Sequence, residues 1–230
     1  MVKIERKDTD KARQAIQSLA SEELKISGKC NTPEVVEALE ETFHGKCYIC
    51  ESEQSPSKEV EHLIPHGGDK TLKFDWNNLF LACTHCNHIK GNTYTPILDC
   101  TRTEVDELIA FRKIGYFGID EVLSFTAVDD KNNDPAINMT CALLQRVHYG
   151  KTKQEEFGAK ILRKTLMYEL LMFKEYIRDY NQATGEDKRD LFESIRMKLK
   201  NNSSFSAFKR WLIKDNPTLC GDFTNCWKKY

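Results

Sequence analysis

The sequence predicts an α+β protein that is mostly helical and that holds a four-cysteine zinc site. Two Cys-x-x-Cys pairs, Cys47/Cys50 and Cys83/Cys86, have the spacing at which a tight turn presents two thiolates to one metal. Short apolar runs between the pairs have the length of strands, and residues 154–180 show the longest helical periodicity. Cys83 follows Cys47 by 36 residues, which leaves room for further structure between the two halves of the site.

The composition is typical of a globular protein. The chain has 230 residues, of which 40% are hydrophobic and 30% charged, enough for one large domain or two small ones. No apolar run approaches the roughly 20 residues that span a bilayer. The charged first residues predict that there is no secretory signal. Nine cysteines, an odd number with four in metal spacing, favour a reducing, cytoplasmic setting over disulfides.

The formal net charge of −1 argues against nucleic-acid binding through bulk charge alone. The charge is uneven, because residues 188–230 contain 10 basic and 4 acidic residues. We therefore expect any phosphate contact to be local or to be helped by a partner protein. The cations that could meet phosphate or an acidic partner are Arg102, Arg112, Arg146, Arg163, Lys209 and Arg210.

Around the metal-site loops, the first hundred residues predict helices and two short strand-like segments. Residues 9–24 have helical periodicity, and Thr32-Pro33 is a helix start, with Thr as N-cap and Pro at the first helical position. Gly45 is expected to end that second helix. The other expected elements are a strand at 60–65, a turn at 67–69, a buried run at 79–82 and a helix that begins after Cys86.

Beyond residue 100 the sequence predicts mainly helices. They are expected at residues 103–113, 154–180, 187–200 and 204–214, with Ser204 as an N-cap, and a loop is expected at 129–135. In the longest helix one apolar stripe is expected to lie in the core. Its members are Phe157, Ile161, Leu162, Leu166, Leu170, Phe173 and Ile177.

The chemistry of the cysteines differs from that of the residues between them. Four thiolates make a closed tetrahedral zinc site with no position for water, which explains folding rather than catalysis. Between the pairs, Glu61-His62 joins a carboxylate to an imidazole. The histidine is either structural, or it is a general base beside a carboxylate that binds a divalent ion. Asn78 and Asn87 accompany the pair.

The combined motif resembles the zinc-containing HNH endonuclease family. The resemblance is carried by Glu61-His62-Leu63-Ile64-Pro65, Gly67-Gly68, Trp76-Asn77-Asn78-Leu79 and Cys83-x-x-Cys86-Asn87-x-x-Lys90-Gly91. It implies a ββα-metal fold and hydrolysis of DNA phosphodiester bonds with Mg²⁺ or Mn²⁺ beside the structural zinc. By motif position it implies that His62 is the general base, that Glu61 and Asn87 bind the catalytic cation, and that Asn78 holds the loop that carries the base.

Two positions depart from the family pattern. Glu61 replaces the more usual Asp, which lengthens the side chain by one methylene, and Asn87 replaces His. Lys90 is either a phosphate contact or a solvated helix residue. Three histidines near the motif are further candidates. His66 could contact phosphate. His85 or His88 could replace Asn87 as a metal ligand, although the motif register favours exposure of both.

A looser resemblance extends over residues 43–51, the helical second half and residues 205–211, and it points to the HNH subunit of Septu-type (PtuAB) anti-phage systems. It implies a PtuA-like ATPase subunit as partner. We divide the chain into N-terminal helices with the nuclease core, at 1–115 (motif 47–91), and a helical region for partner docking and the DNA groove, at 116–230. The competing functions are a non-catalytic zinc adaptor and a stand-alone restriction or homing HNH nuclease.

Overall fold

A computed structural model describes residues 1–55, 57–116, 119–128, 134–224 and 226–227. The predicted α+β class, mostly helical with small antiparallel sheets, is confirmed. The elements in chain order are α1 (Asp10–Glu23), α2 (Pro33–Thr42), β1 (Lys58–His62), α3 (Lys70–Phe74), β2 (Leu79–Cys83), α4 (Thr84–Lys90), α5 (Val105–Leu108), β3 (Ile109–Tyr116), β4 (Ile119–Ala127), α6 (Pro135–Tyr149), α7 (Lys153–Gln182), α8 (Gly185–Lys198), α9 (Ser206–Lys214) and α10 (Pro217–Cys220).

A ββα unit forms the part of the fold that positions the candidate site. Strands β1 and β2 are antiparallel, with Glu61 opposite Phe80 and His62 opposite Leu79. Helix α4 follows β2 directly and packs on both strands. The strand predicted at 60–65 lies earlier than expected, at Lys58–His62. It ends before Pro65, which has no N–H to continue a ladder. The helix expected after Cys86 already begins at Thr84.

Three aromatic rings support this unit from the N-terminal side. Phe43, Tyr48 and Phe80 are all buried, and their ring centroids lie 4.8 to 6.4 Å apart. Contacts of this kind contribute beyond the burial of area alone. The backbone N–H of Tyr48 also donates to the carbonyl of Leu81, at 2.9 Å. The turn that carries the first two cysteines is therefore fixed against β2.

The helix predicted at 103–113 is largely wrong. Only Val105–Leu108 is helical, and the chain then turns into β3, which pairs with β4 so that Phe111 lies opposite Phe125. The two rings are 5.5 Å apart and edge-on. Cross-strand packing of β-branched and aromatic residues outweighs a helical spacing of this length. Most of the loop predicted at 129–135 lies outside the described residues; Pro135 begins α6 with Asp134 as its N-cap.

The apolar stripe predicted along α7 is only partly correct. Leu162, Leu166 and Leu170 are buried as expected. Phe157 and Ile161 are 69% and 54% exposed, so their assignment to the core was wrong. The core packs against one side of the helix, and these two residues lie on the other side. None of the described helices combines the length and apolarity that crossing a bilayer requires.

The zinc-site turn is joined to the C-terminal region by buried polar contacts. The Lys46 ammonium donates to the carbonyls of Asn201 and Ser203, and the Glu51 carboxylate accepts from the N–H of Ala207 at 3.0 Å. Both lysine and glutamate are almost fully buried. Helix α9 follows at Ser206, so the N-cap predicted at Ser204 is also wrong.

Two of the six cations that could meet phosphate or an acidic partner are buried in α9. Arg210 pairs with Asp106 at 3.0 Å, and each side chain is 1% exposed. Lys209, also 1% exposed, pairs with Glu169 at 3.0 Å. A buried charge needs such a partner because desolvation is costly. The expectation that Lys209 and Arg210 contact phosphate or a partner is therefore wrong, and both instead tie α9 to the rest of the fold.

Candidate metal and catalytic site

The four predicted cysteines come together in one buried cluster. The sulfur atoms of Cys47, Cys50, Cys83 and Cys86 all lie within 4.8 Å of one another. Cys50 Sγ and Cys83 Sγ are 3.9 Å apart, and tetrahedral zinc with bonds of about 2.3 Å needs sulfurs about 3.8 Å apart. Four buried thiolates at this distance would repel one another without a cation between them. The donor set therefore fits a structural zinc ion.

The Glu61 side chain is buried, and each of its carboxylate oxygens accepts a hydrogen bond. Its Oε1 accepts from Lys90 Nζ at 2.7 Å and its Oε2 from the Tyr48 hydroxyl at 2.9 Å. Burial raises the pKa of the Glu61 carboxyl, and Lys90 and Tyr48 oppose that rise. Burial, reinforced by the Glu61 charge, likewise holds the pKa of Tyr48 well above its usual value.

Lys90 has a role that neither sequence interpretation anticipated. Its side chain is fully buried, and besides Glu61 it donates to the carbonyl of His62 at 2.8 Å. It is therefore neither solvated nor positioned to contact phosphate. The ammonium instead joins α4 to the end of β1, next to the predicted base.

A second carboxylate, Glu59, lies on the same face of β1 as Glu61, because alternate residues of a strand share a face. Glu59 Oε2 accepts from Asn87 Nδ2 at 2.6 Å, and Oε1 accepts from the Thr84 hydroxyl at 2.8 Å. Helix α4 thus places Asn87 against Glu59 and Lys90, one turn later, against Glu61. Sequence reasoning missed Glu59, although its spacing of two from Glu61 was a usable signal.

His62 lies at the end of β1, half-buried. Its Nε2 is 3.0 Å from the carbonyl of Lys73. A carbonyl only accepts, so Nε2 carries the proton, and in the neutral ring the lone pair is on Nδ1. Burial lowers the pKa of His62; the Lys73 carbonyl opposes this, while the neighbouring charges of His66, Lys90 and Lys73 add to it. His62 is therefore neutral at pH 7, as a general base must be.

Asn78 fixes the segment that follows His62. Its Oδ1 accepts from the N–H of Ile64 at 2.8 Å, and its Nδ2 donates to the carbonyls of Ile64 and Leu72 at 2.9 and 3.0 Å. The Asn78 side chain is buried. Three hydrogen bonds from one amide hold the chain on both sides of the turn, and this is the geometry expected of a residue that positions the base.

The comparison with protein families agrees with this arrangement. A family model for HNH endonucleases matches residues 47–93, which contain the four cysteines and the ββα unit. We call residues 47–93 the HNH domain, after this match. The Septu protein PtuB of Bacillus thuringiensis is 39% identical to the chain over 62 residues, which are 26% of this chain and 24% of that relative. The match thus spans about a quarter of the relative's length. No solved structure matches the chain.

The HNH domain carries oxygen donors for a hard divalent cation. Carboxylate and amide oxygens are the ligands that Mg²⁺ and Mn²⁺ prefer, and Glu59, Glu61 and Asn87 supply them along one face of β1 and α4. Both oxygens of Glu61 already accept hydrogen bonds. Ligation through Glu61 Oε1 would place the cation beside the Lys90 ammonium, and the two positive charges would repel each other.

The other histidines of the HNH domain have different environments. His85 Nε2 lies 2.8 Å from the carbonyl of Val147, so His85 connects α4 to α6. We expected His85 to be exposed, and that expectation is wrong. His88 is exposed, in agreement with the motif register. The ring of His66 is 4.8 Å from that of His62, which places His66 beside the predicted base.

Proposed function

We propose that the chain is a metal-dependent HNH endonuclease that hydrolyses DNA phosphodiester bonds. The single observation that carries this proposal is the contact between His62 Nε2 and the Lys73 carbonyl, at 3.0 Å. This contact assigns the proton to Nε2 and the lone pair to Nδ1, and burial favours the neutral ring. A neutral imidazole with one oriented lone pair can remove a proton from water. This imidazole lies at the end of a strand whose carboxylates face α4.

In the proposed mechanism each residue has a distinct task. His62 Nδ1 accepts a proton from the water that attacks phosphorus, while the Lys73 carbonyl keeps the imidazole in the required tautomer. Asn78 holds the turn after the base, so that the imidazole keeps its direction. Glu61 and Asn87, with Glu59 beside them, would hold the divalent cation. Such a cation, when bound, stabilises negative charge on the phosphate and the leaving oxygen.

We further propose that this nuclease is the effector of a Septu-type anti-phage defence complex in the cytoplasm. The partial match to a Septu protein PtuB supports the proposal. A net charge of −1, together with the burial of Lys209 and Arg210, makes strong unaided DNA binding unexpected. A PtuA-like ATPase subunit that docks on residues 116–230 would supply DNA engagement and control.

Plasmid cleavage tests the proposed function. The purified chain is assayed with Mg²⁺ or Mn²⁺, with EDTA, and with or without the ATPase subunit, and we expect cutting that requires the cation. Cutting only when the ATPase subunit is present would support the two-component system. Sequence-specific cutting without it would favour a stand-alone restriction or homing nuclease. The zinc adaptor would be favoured if the chain cut under no condition and bound one zinc ion but no second metal ion.

A paired substitution separates the two roles of Glu61. Glu61→Gln alone leaves the Lys90 ammonium buried without its counter-charge, so we expect a loss of about 3 kcal/mol in the free energy of unfolding, together with loss of cleavage. Glu61→Gln combined with Lys90→Met removes both charges and should recover most of the stability. If Glu61 also binds the catalytic cation, cleavage stays lost in the double variant. Recovery of cleavage there would assign Glu61 a structural role only.

Glu59→Gln is the matched variant on the same strand face. It removes a carboxylate without leaving a buried lysine unpaired, so we expect the urea midpoint to change little. If the Glu59 carboxylate helps to hold the cation, the Mn²⁺ concentration for half-maximal cleavage should rise severalfold. An unchanged Mn²⁺ dependence would remove Glu59 from the proposed ligand set.

A further inference from the structure

Helix α7 has a second apolar face that the core does not cover. Five large side chains on the solvent side of this helix are exposed by 39% to 69%: Phe157, Ile161, Tyr168, Leu171 and Met172. Single exposed apolar residues are ordinary, but at about 100° per residue these five lie on one face of the helix, where Lys164 separates the first two from the other three. We call these five residues the α7 stripe.

The α7 stripe has the spacing of a coiled-coil seam. Four members of the stripe, at 157, 161, 168 and 171, form one series with the charged positions 164 and 175. Successive positions in this series are separated alternately by four and three residues. This is the heptad pattern with which one helix packs along another. Positions 164 and 175 are Lys164 and Glu175, so the ends of the central apolar segment carry opposite charges.

The charges at the two ends of the stripe favour an antiparallel orientation. Lys160 and Lys164 precede the centre of the stripe, and Glu175 and Asp179 follow it. In an antiparallel pair with Tyr168 opposite Leu171 of the partner subunit, Lys164 lies opposite Glu175 of the partner subunit and Lys160 opposite Asp179 of the partner subunit. A parallel pair would put like charges opposite each other, which is destabilising.

We propose that the α7 stripe is a homodimer interface, in which α7 of one chain packs antiparallel to α7 of a second copy. Within one chain, Glu175 and Asp179 pair with Arg178 at the surface. Exposed pairs of this kind stabilise little, so exchanging them for contacts across the dimer costs little. The inference goes beyond nuclease activity and does not depend on it.

The expected association is reversible. A helix of 30 residues is about 45 Å long, long enough for a helix-pair interface. In this register Tyr168, Leu171 and Met172 form a modest apolar centre, while Ile161 and Phe157 lie opposite Arg178 and Gln182 of the partner subunit. We therefore expect a dissociation constant in the micromolar range, on the order of 10 µM. The dimer would then form readily where the protein is concentrated locally, for example in a larger assembly.

Sedimentation equilibrium of the full chain tests the interface. From about 1 to 100 µM, the weight-average mass should rise from the monomer value of 26.6 kDa toward twice that value. Tyr168→Glu combined with Leu171→Glu should keep the mass at the monomer value throughout, with an unchanged circular dichroism spectrum, because both side chains are exposed. Met197→Glu, which alters an exposed apolar residue of α8, is the matched control and should dimerise like the wild type.

A charge exchange tests the antiparallel register. Lys164→Glu and Glu175→Lys should each weaken the dimer severalfold, because each creates two symmetry-related like-charge contacts. The two substitutions together should restore the wild-type dissociation constant. A wild-type chain that stays monomeric at every concentration would overturn the proposal, even if a different protein bound the α7 stripe. A dimer insensitive to the Tyr168 and Leu171 substitutions would overturn it as well.

Discussion

Cys83→Ser is expected to unfold the HNH domain. Serine cannot replace the thiolate, and the remaining three cysteines lose the closed tetrahedral set that the cluster offers to zinc. Zinc binding contributes roughly 10–16 kcal/mol to the folding of small zinc domains, as much as or more than the whole stability of a typical domain. A thermal melt followed by circular dichroism should lose its cooperative transition, and the bound zinc per chain should fall to near zero. Prolonged treatment with a strong chelator should reproduce both effects.

Cys141→Ser is the control for this experiment. Cys141 is half-buried and lies outside the cluster, so its substitution should leave the zinc content at one per chain and shift the melting temperature by only a few degrees. A Cys83→Ser protein that is zinc-free, yet melts cooperatively near the wild-type temperature, would contradict the structural role that we assign to the metal.

His62→Ala is expected to reduce cleavage about 10²- to 10⁴-fold without loss of fold or zinc. The substitution removes the group that we propose takes the proton from water. The His62 ring is half-buried, and the substitution gives up one part-buried hydrogen bond, to the Lys73 carbonyl, so we expect only a small loss of stability. Rates of plasmid cleavage at saturating Mn²⁺, measured beside zinc content and melting temperature, distinguish loss of chemistry from loss of structure.

His88→Ala is the natural comparison, since it removes an exposed imidazole from the same domain. We expect its cleavage rate to stay within about twofold of the wild-type rate, as for ordinary surface substitutions. Equal loss of cleavage in both variants would mean that the base has been assigned incorrectly. Full activity of His62→Ala would have the same meaning.

Local patterns in the sequence located the two strands and the helix of the ββα unit to within a few residues. The Cys-x-x-Cys spacing predicted the cluster, because the ligands of each pair lie within one turn. The helix start at Thr32-Pro33 was also correct, since α2 begins at Pro33. The motif places Asn78 before the buried strand; its role in positioning the base stays a prediction, which its three hydrogen bonds support.

The errors concern features that distant parts of the chain decide. Residues 109–113 have helical spacing, but pairing with β4 makes them a strand. Lys90 looks like a surface lysine until the register of α4 against β1 places it beside Glu61. Phe157 and Ile161 look like core residues until it is known which side of α7 the core covers. Each outcome depends on packing partners far away in sequence, which periodicity does not identify.

The buried contacts of Lys46 and Glu51 limit how modular the HNH domain is. Both flank the first cysteine pair. Lys46 donates to the carbonyls of Asn201 and Ser203, and Glu51 accepts from the N–H of Ala207 and also pairs with the Met1 ammonium at 3.6 Å. A fragment that ends before residue 201 would lose both carbonyl partners of Lys46 and the Ala207 N–H, and one that begins at residue 47 would also lose Lys46 and the Met1 ammonium that pairs with Glu51. The HNH domain at 47–93 therefore depends on contacts with residues outside it. A graft into another protein, or a shuffling event in evolution, would have to carry the C-terminal segment with it or replace both charges.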